Sequence, residues 1–178
     1  MIEKISSKVV YANKWMTVRE DQVRFGNGAS GIFGVVDKPD FSLIMPFENG
    51  GFYLVRQFRY PVSETFWEFP QGAYVGRVLS PLENAIQELK EETGLSSTQL
   101  KEIGFLYEAY GYCNQGFHIY FATSLTKGIQ QLEETEQDLV CQWFSLTEVE
   151  ALMDRGEIRD APTAAAYGLF LRKRQELI

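Results

Sequence analysis

Glu88, Glu91 and Glu92 put three carboxylates into a stretch of five residues. On a helix, at about 100° per residue, they share an arc of roughly 100°, so all three lie along one edge. For stability alone this is a poor arrangement. Like charges at these spacings repel by a few tenths of a kcal/mol per pair, and acids in the last turns oppose the helix dipole by roughly 0.3–1 kcal/mol each. One outlet is solvation of an acidic face beside Lys90. The other is a hard divalent cation such as Mg²⁺ or Mn²⁺, which wants clustered oxygen ligands and reverses the sign of the repulsion.

A helix with both ends marked carries these acids. Ser80 and Glu83 form a Ser-x-x-Glu capping box, Pro81 suits the first turn, and Gly94 is the stop. Leu82, Ala85, Ile86 and Leu89 recur at the spacing of one buried stripe, which predicts that they face the core. Ahead of the helix, a strand-like TFWEF run leads into Pro70-Gln71-Gly72, a turn signal.

Taken together, Gly72 and Gln87-Glu88-Leu89-Lys90-Glu91-Glu92-Thr93-Gly94-Leu95 resemble the Nudix box, with eight of the nine positions in the second half fitting. Two departures stand out. The family's Arg is Gln87, which removes a cation from among the glutamates. The spacing from Gly72 to Gln87 is also one residue longer than the pattern, so the first-half Glu falls on Val78 or Leu79.

The resemblance implies Mg²⁺-dependent (or Mn²⁺-dependent) hydrolysis of a pyrophosphate. It implies metal ligation by Glu88, Glu91, Glu92 and the backbone carbonyl of Gln71. Glu92 is counted with the catalytic residues, and Glu134 and Glu136 in the acidic LEETEQD loop stand where the family often keeps its general base. The chain is similar to the ADP-ribose pyrophosphatase and nucleoside-diphosphate-sugar hydrolase branch in its β-rich leader, in LVRQFRYP (54–61) and in GEIRDAPTAAAYGLFL (156–171). In that branch the matching arginine contacts substrate phosphate. Arg59 is therefore the first substrate-binding candidate, Arg56 the second, and Glu68 matches an acidic position near the pocket. Pro-Gln-Gly is closer to enzymes of diadenosine polyphosphates and RNA 5′ ends. The alternatives are thus hydrolysis of nucleoside triphosphates or dinucleoside polyphosphates, or a catalytically weak nucleotide-binding module.

The 178 residues suit one main domain able to bury a substantial core. No run reaches the length of a membrane span and the N-terminus lacks the apolar core of a signal peptide, so a cytoplasmic protein without a membrane partner is expected. A net charge of −7 argues against general nucleic-acid binding. Cys113 and Cys141 are too few for a disulfide framework. His118 lacks neighbouring Cys or His in sequence, which makes a metal or acid–base role unexpected.

Strands are expected from Val9 to Asp37, then at 41–47, 52–58, 102–113, 117–125 and after Asp138, with an exposed acidic loop at 128–138. Helices follow Ser145 and Asp160. Mixed strands with singly placed helices indicate α/β or α+β, which agrees with the Nudix α/β/α sandwich around a mixed sheet. The division expected is 1–38, an N-terminal antiparallel β-subdomain, and 39–178, the hydrolase domain. Three short strands rarely stand alone, so the leader is expected to join a partner as a homodimer. Its Trp15 and Phe25 are possible base-stacking aromatics, with core packing the expected fate of each.

Overall fold

The structure, a computed structural model, describes residues 1–73, 76, 79–132, 134 and 136–178. Val78, one of the two positions for the missing first-half Glu, lies outside the described residues. The leader folds as β1 (Ile2–Ala12), β2 (Thr17–Phe25) and β3 (Ser30–Asp37), an antiparallel sheet in that order. β1 begins seven residues earlier than the apolar VVYAN run predicts. Its ladder to β2 runs from Ile2–Phe25 to Ala12–Thr17, so pairing carries the polar IEKISSK segment as strand. β3 hooks onto the main body, where Val36 exchanges backbone hydrogen bonds with Tyr112 and Asn114 at 2.8 and 3.2 Å.

The second sheet is mixed. It contains β4 (Phe41–Glu48), β5 (Gly51–Arg59), β6 (Glu64–Glu68), β7 (Gln71–Gly72), β8 (Leu95–Tyr107), β9 (Gly116–Lys127) and β10 (Val140–Ser145). Its main path runs β10-β5-β4-β9-β8, with β4 and β9 parallel. β4 and β5 pair only beside their turn, at Phe47–Phe52 and Glu48–Gly51. Beyond that they diverge, and the fork is filled by β6 on β5 and β7 on β4. The expected turn at Pro70-Gln71-Gly72 is thus partly strand: Leu43 pairs with Gln71 and Ser42 with Gly72.

Alternation on β4 and β9 separates two cores. Phe41, Leu43 and Met45 join Phe117, Ile119 and Phe121 on one face, packed with α2 (Leu146–Asp154) and α3 (Ala161–Leu177). Ile44, Tyr120 and Ala122 face the other way, against Ala85 and Leu89 of α1 (Pro81–Thr93). The result is the expected α/β/α sandwich.

All three helices begin as the sequence predicts. Ser80 and Ser145 close capping boxes with Glu83 and Glu148, and Asp160 accepts from the Thr163 amide. Gly94 ends α1 at φ +70, and the amide of Gly94 bonds back to Lys90.

The face of α1 that meets the sheet differs from the stripe expected. Ala85 and Leu89 are buried, whereas Leu82 and Ile86 are 42% and 47% exposed. Two i,i+4 rows go inward instead, Asn84-Glu88-Glu92 and Ala85-Leu89-Thr93. The helix is turned by its polar contacts: Asn84 Nδ2 donates to the Gly72 carbonyl at 2.7 Å and the Gln71 amide donates to Glu92 at 3.0 Å. Leu89→Ala should therefore lower stability by about 2–5 kcal/mol, whereas Ile86→Ala should cost under about 1 kcal/mol. Urea titration of the two variants distinguishes this face from the apolar stripe, which predicts comparable losses.

Candidate active site

The buried row of α1 rests on β7. At Gly72 a Cβ would lie 2.5–2.6 Å from both oxygens and the carboxyl carbon of Glu88, so only glycine leaves the carboxylate its place. One residue before, the Gln71 amide points at Glu92, which is 1% exposed. Burial is the main force pushing the Glu92 pKa well above the usual carboxylate range. The charges of Glu88, Glu136 and Glu68 add to it, and the Gln71 hydrogen bond pulls the other way. Glu91 is half-buried and accepts from Gln87 Nε2 at 2.7 Å. The glutamine in the place of the family's arginine thus orients Glu91 without bringing a charge.

The acidic loop is tied to this helix. The Gln131 amide donates to the Glu91 carbonyl (3.0 Å), Gln130 Nε2 to the Glu92 carbonyl (2.6 Å) and the Gly128 amide to the Gly94 carbonyl (2.7 Å). The first two contacts satisfy carbonyls that a helix C-terminus leaves open. The expected exposed loop is therefore anchored at its start. Farther along, Glu134 is exposed at a turn, while Glu136 is half-buried and close enough for its charge to act on Glu92.

Beside β7 opens a cleft of about 790 Å³, lined among others by Lys38, Phe41, Arg59, Phe66, Glu68, Gln71, Gly72, Arg159 and Asp160. Gln57 and Arg59 share one face of β5, and both reach Glu68 at the end of β6. Arg59 donates to both Glu68 oxygens through Nε, at 3.2 Å, and Nη2. Glu68 is 2% exposed. Burial raises its pKa to about 7, with Asp160 adding to the rise, while Arg59 and Gln57 oppose it. Burial also disfavours the Arg59 cation, yet Glu68 outweighs this and holds the Arg59 pKa above its ordinary value.

Arg56, the other sequence candidate, lies over the Trp67 ring at 5.1 Å and is not among the residues lining the cleft. Trp15 is exposed, with the Lys14 ammonium 4.2 Å above its ring, which corrects the expectation of core packing. Phe25 packs against Phe33. His118 pairs with Glu102 at 2.8 Å.

Three contributors escaped the sequence reading. Asn84 sits one turn before Glu88 on the same row. Asp160 caps α3 and also accepts from Gln71 Nε2 at 3.0 Å, tying α3 to β7. Arg159 is the third. Only the i,i+4 spacing of Asn84 and the position of Asp160 within the tail motif hinted at them.

Residues 38–167 match the description NUDIX domain, and residues 2–36 match the nucleoside diphosphate sugar hydrolase N-terminal domain. The chain belongs to the NUDIX family. It is accordingly a pyrophosphohydrolase. Among its relatives is the ADP-ribose pyrophosphatase of Mycobacterium tuberculosis, 28% identical over 158 residues, which span 88% of this chain and 76% of that protein. Another is the ADP-ribose pyrophosphatase of Bacillus subtilis, 26% identical over 165 residues, spanning 91% and 88%. A crystal structure of an ADP compounds hydrolase superposes with a TM-score of 0.86 at 20% identity, covering 99% of this chain and 97% of that one, which establishes the shared fold.

Nudix hydrolases generally use a divalent metal ion. The donor set fits one: hard carboxylate oxygens, a glycine cradle under Glu88, and buried acceptor atoms at Asn84 Oδ1 and Gln71 Oε1 that have no partner among the described residues. Among the described residues no three His, Cys, Asp or Glu side chains are already gathered at ligating distance.

The buried acids give a pH-dependent signature. A carboxyl whose folded pKa lies above its ordinary 4.5 loses native stability as pH rises from that value toward the folded one. In EDTA at pH 8, Glu92→Gln should therefore raise Tm, by about 2–4 °C for each kcal/mol regained in a chain of this size. The gain should vanish toward pH 4. A variant less stable than the parent at pH 8 without metal would contradict the burial argument.

Proposed function

We propose that this Nudix enzyme hydrolyses the pyrophosphate of an ADP-ribose-like or nucleoside-diphosphate-sugar substrate, releasing a nucleoside monophosphate and a sugar phosphate. The observation that carries the reading is the Gln71–Gly72 strand. It lines the cleft, and its backbone rests directly on the Glu88 and Glu92 carboxylates. A substrate in the cleft is thus brought to the carboxylate row. The ADP-ribose pyrophosphatase names of both relatives, matched along most of this chain, support the substrate class.

Glu88, Glu91, Glu92 and the backbone carbonyl of Gln71 would hold Mg²⁺, with Mn²⁺ as a substitute. When bound, the ion would supply neutralisation of phosphoryl oxygens and a water of lowered pKa. Glu136 is the proton acceptor we favour over Glu134, because its charge reaches Glu92 and it is partly withdrawn from solvent. Arg59 and Glu68 form the polar wall of the cleft. Arg56, stacked on Trp67, serves packing.

Residues 1–38 we read as a subdomain that joins a second copy. Every residue of β1 is exposed in the single chain, including Ile2, Ile5, Val9, Val10 and Tyr11, and an apolar edge of this kind is normally covered. Sedimentation should show a dimer that Ile5→Lys with Val9→Lys converts to monomer. No helix is long and apolar enough to cross a membrane.

Phosphate-product release should be measured on ADP-ribose, sugar nucleotides, dinucleoside polyphosphates and nucleoside triphosphates, with Mg²⁺, Mn²⁺ or EDTA. The expected result is metal-dependent cleavage, fastest for ADP-ribose or a sugar nucleotide. Glu136→Gln should lower kcat by about 10²-fold or more, and Glu134→Gln by much less. Faster cleavage of triphosphates or dinucleoside polyphosphates would overturn the substrate assignment, and equal effects of the two variants would overturn the choice of base.

A further inference from the structure

Two arginines line the cleft, and their charges are committed differently. Arg59 is forked onto Glu68, a carboxylate only 2% exposed. That pair uses Nε and Nη2 of Arg59, which leaves Nη1 to meet a phosphate oxygen while the buried carboxylate keeps its cation. Arg159 has one ion pair among the described residues, to Glu64 at 3.7 Å, with the two side chains 60% and 57% exposed. Such a pair is weak, and water rehydrates Glu64 when it opens.

Arg159 is nevertheless held in place. Its guanidinium carbon lies 5.3 Å from the centre of the Phe66 ring. Behind it is Gly156, at φ +68, where a Cβ would stand 3.3 Å from Arg159 Nε and 3.4 Å from Nη2. Asp160, the next residue, is fixed by its bonds to the Thr163 amide and Gln71 Nε2. The cation therefore sits on a segment tied to the same β7 strand that rests on the glutamate row. The other cleft cation, Lys38, makes no ion pair among the described residues and carries its charge as a point at the end of a flexible stem.

We propose that Arg159 is a second arginine that binds the substrate's phosphate in this cleft, beside Arg59. The proposal rests on the pyrophosphohydrolase reading of the cleft. A pre-placed guanidinium with one exposed, exchangeable partner can donate a pair of charge-assisted hydrogen bonds to phosphate oxygens. Glu64 then competes with the substrate for it.

The test is titration calorimetry of ADP-ribose into the full chain in EDTA, where neither metal nor turnover contributes, followed by steady-state kinetics with Mg²⁺. Arg159→Ala should weaken binding by about 10-fold or more and raise KM by a similar factor, with kcat within about twofold of the parent. Arg159→Lys should fall between, because the charge stays and the fork is lost. Glu64→Gln should tighten binding by about two- to threefold, an effect that a merely structural role for Arg159 would not produce.

Unchanged affinity in Arg159→Ala, or a larger loss in Lys38→Ala, would overturn the proposal. If the parent binds and hydrolyses another nucleotide of the panel instead, the ADP-ribose reading fails, and the same variants on that nucleotide decide Arg159 separately. A parent that neither binds a nucleotide in EDTA nor hydrolyses one with Mg²⁺ overturns both.

Discussion

A carboxylate sealed from water with other carboxylates for neighbours is the constraint on which the site turns. Glu92 accepts a hydrogen bond from the Gln71 amide, and the charges of Glu88, Glu136 and Glu68 add to the burial that pushes its pKa up. Left ionised it destabilises the fold, and a divalent cation drawn to it would offset that cost. The surrounding structure follows from the need to hold that group. α1 turns its polar row inward, Gly72 gives up a side chain to seat Glu88, and Asn84 ties the helix to the carbonyl of that same glycine.

The fork between β4 and β5 makes room for this. Two strands that paired along their whole length would close the sheet and leave nowhere for a polar helix face to dock. Because they separate after the turn, β6 and β7 enter between them, each bearing a residue the site uses at its end. Glu68 closes β6 and Gly72 closes β7. Asp160 then brings the opposite helical layer to the same point through Gln71, so both faces of the sandwich meet at one short strand.

Much of this was legible in the sequence, and the gaps have physical reasons. Capping boxes and glycine stops are local signals, and all three helix starts agree with them. The box glutamates were visible as types and spacing. The face of α1 was not, because Leu82 and Ile86 satisfy the apolar period while hydrogen bonds to β7 outweigh it. Strand edges in polar stretches, such as 2–8 and 95–101, were also missed, since a partner strand rather than residue type holds them extended. Arg59 could be found by motif, yet its commitment to Glu68 is a tertiary fact. Arg159 sits at a position the motif leaves open.

The bonds joining Gln130 and Gln131 to the end of α1 divide the labour of the acidic segment. One end is pinned to the glutamate helix, and the other continues into β10, itself laddered to β5 from Val140 onward. Toward β10, Asp138 accepts from the Phe58 amide and Leu139 is buried, so a change of sequence ahead of Asp138 leaves both attachments in place. Such a bridge behaves as a replaceable cartridge: exchanging it resets where its acids stand relative to the cleft, and the scaffold stays as it was.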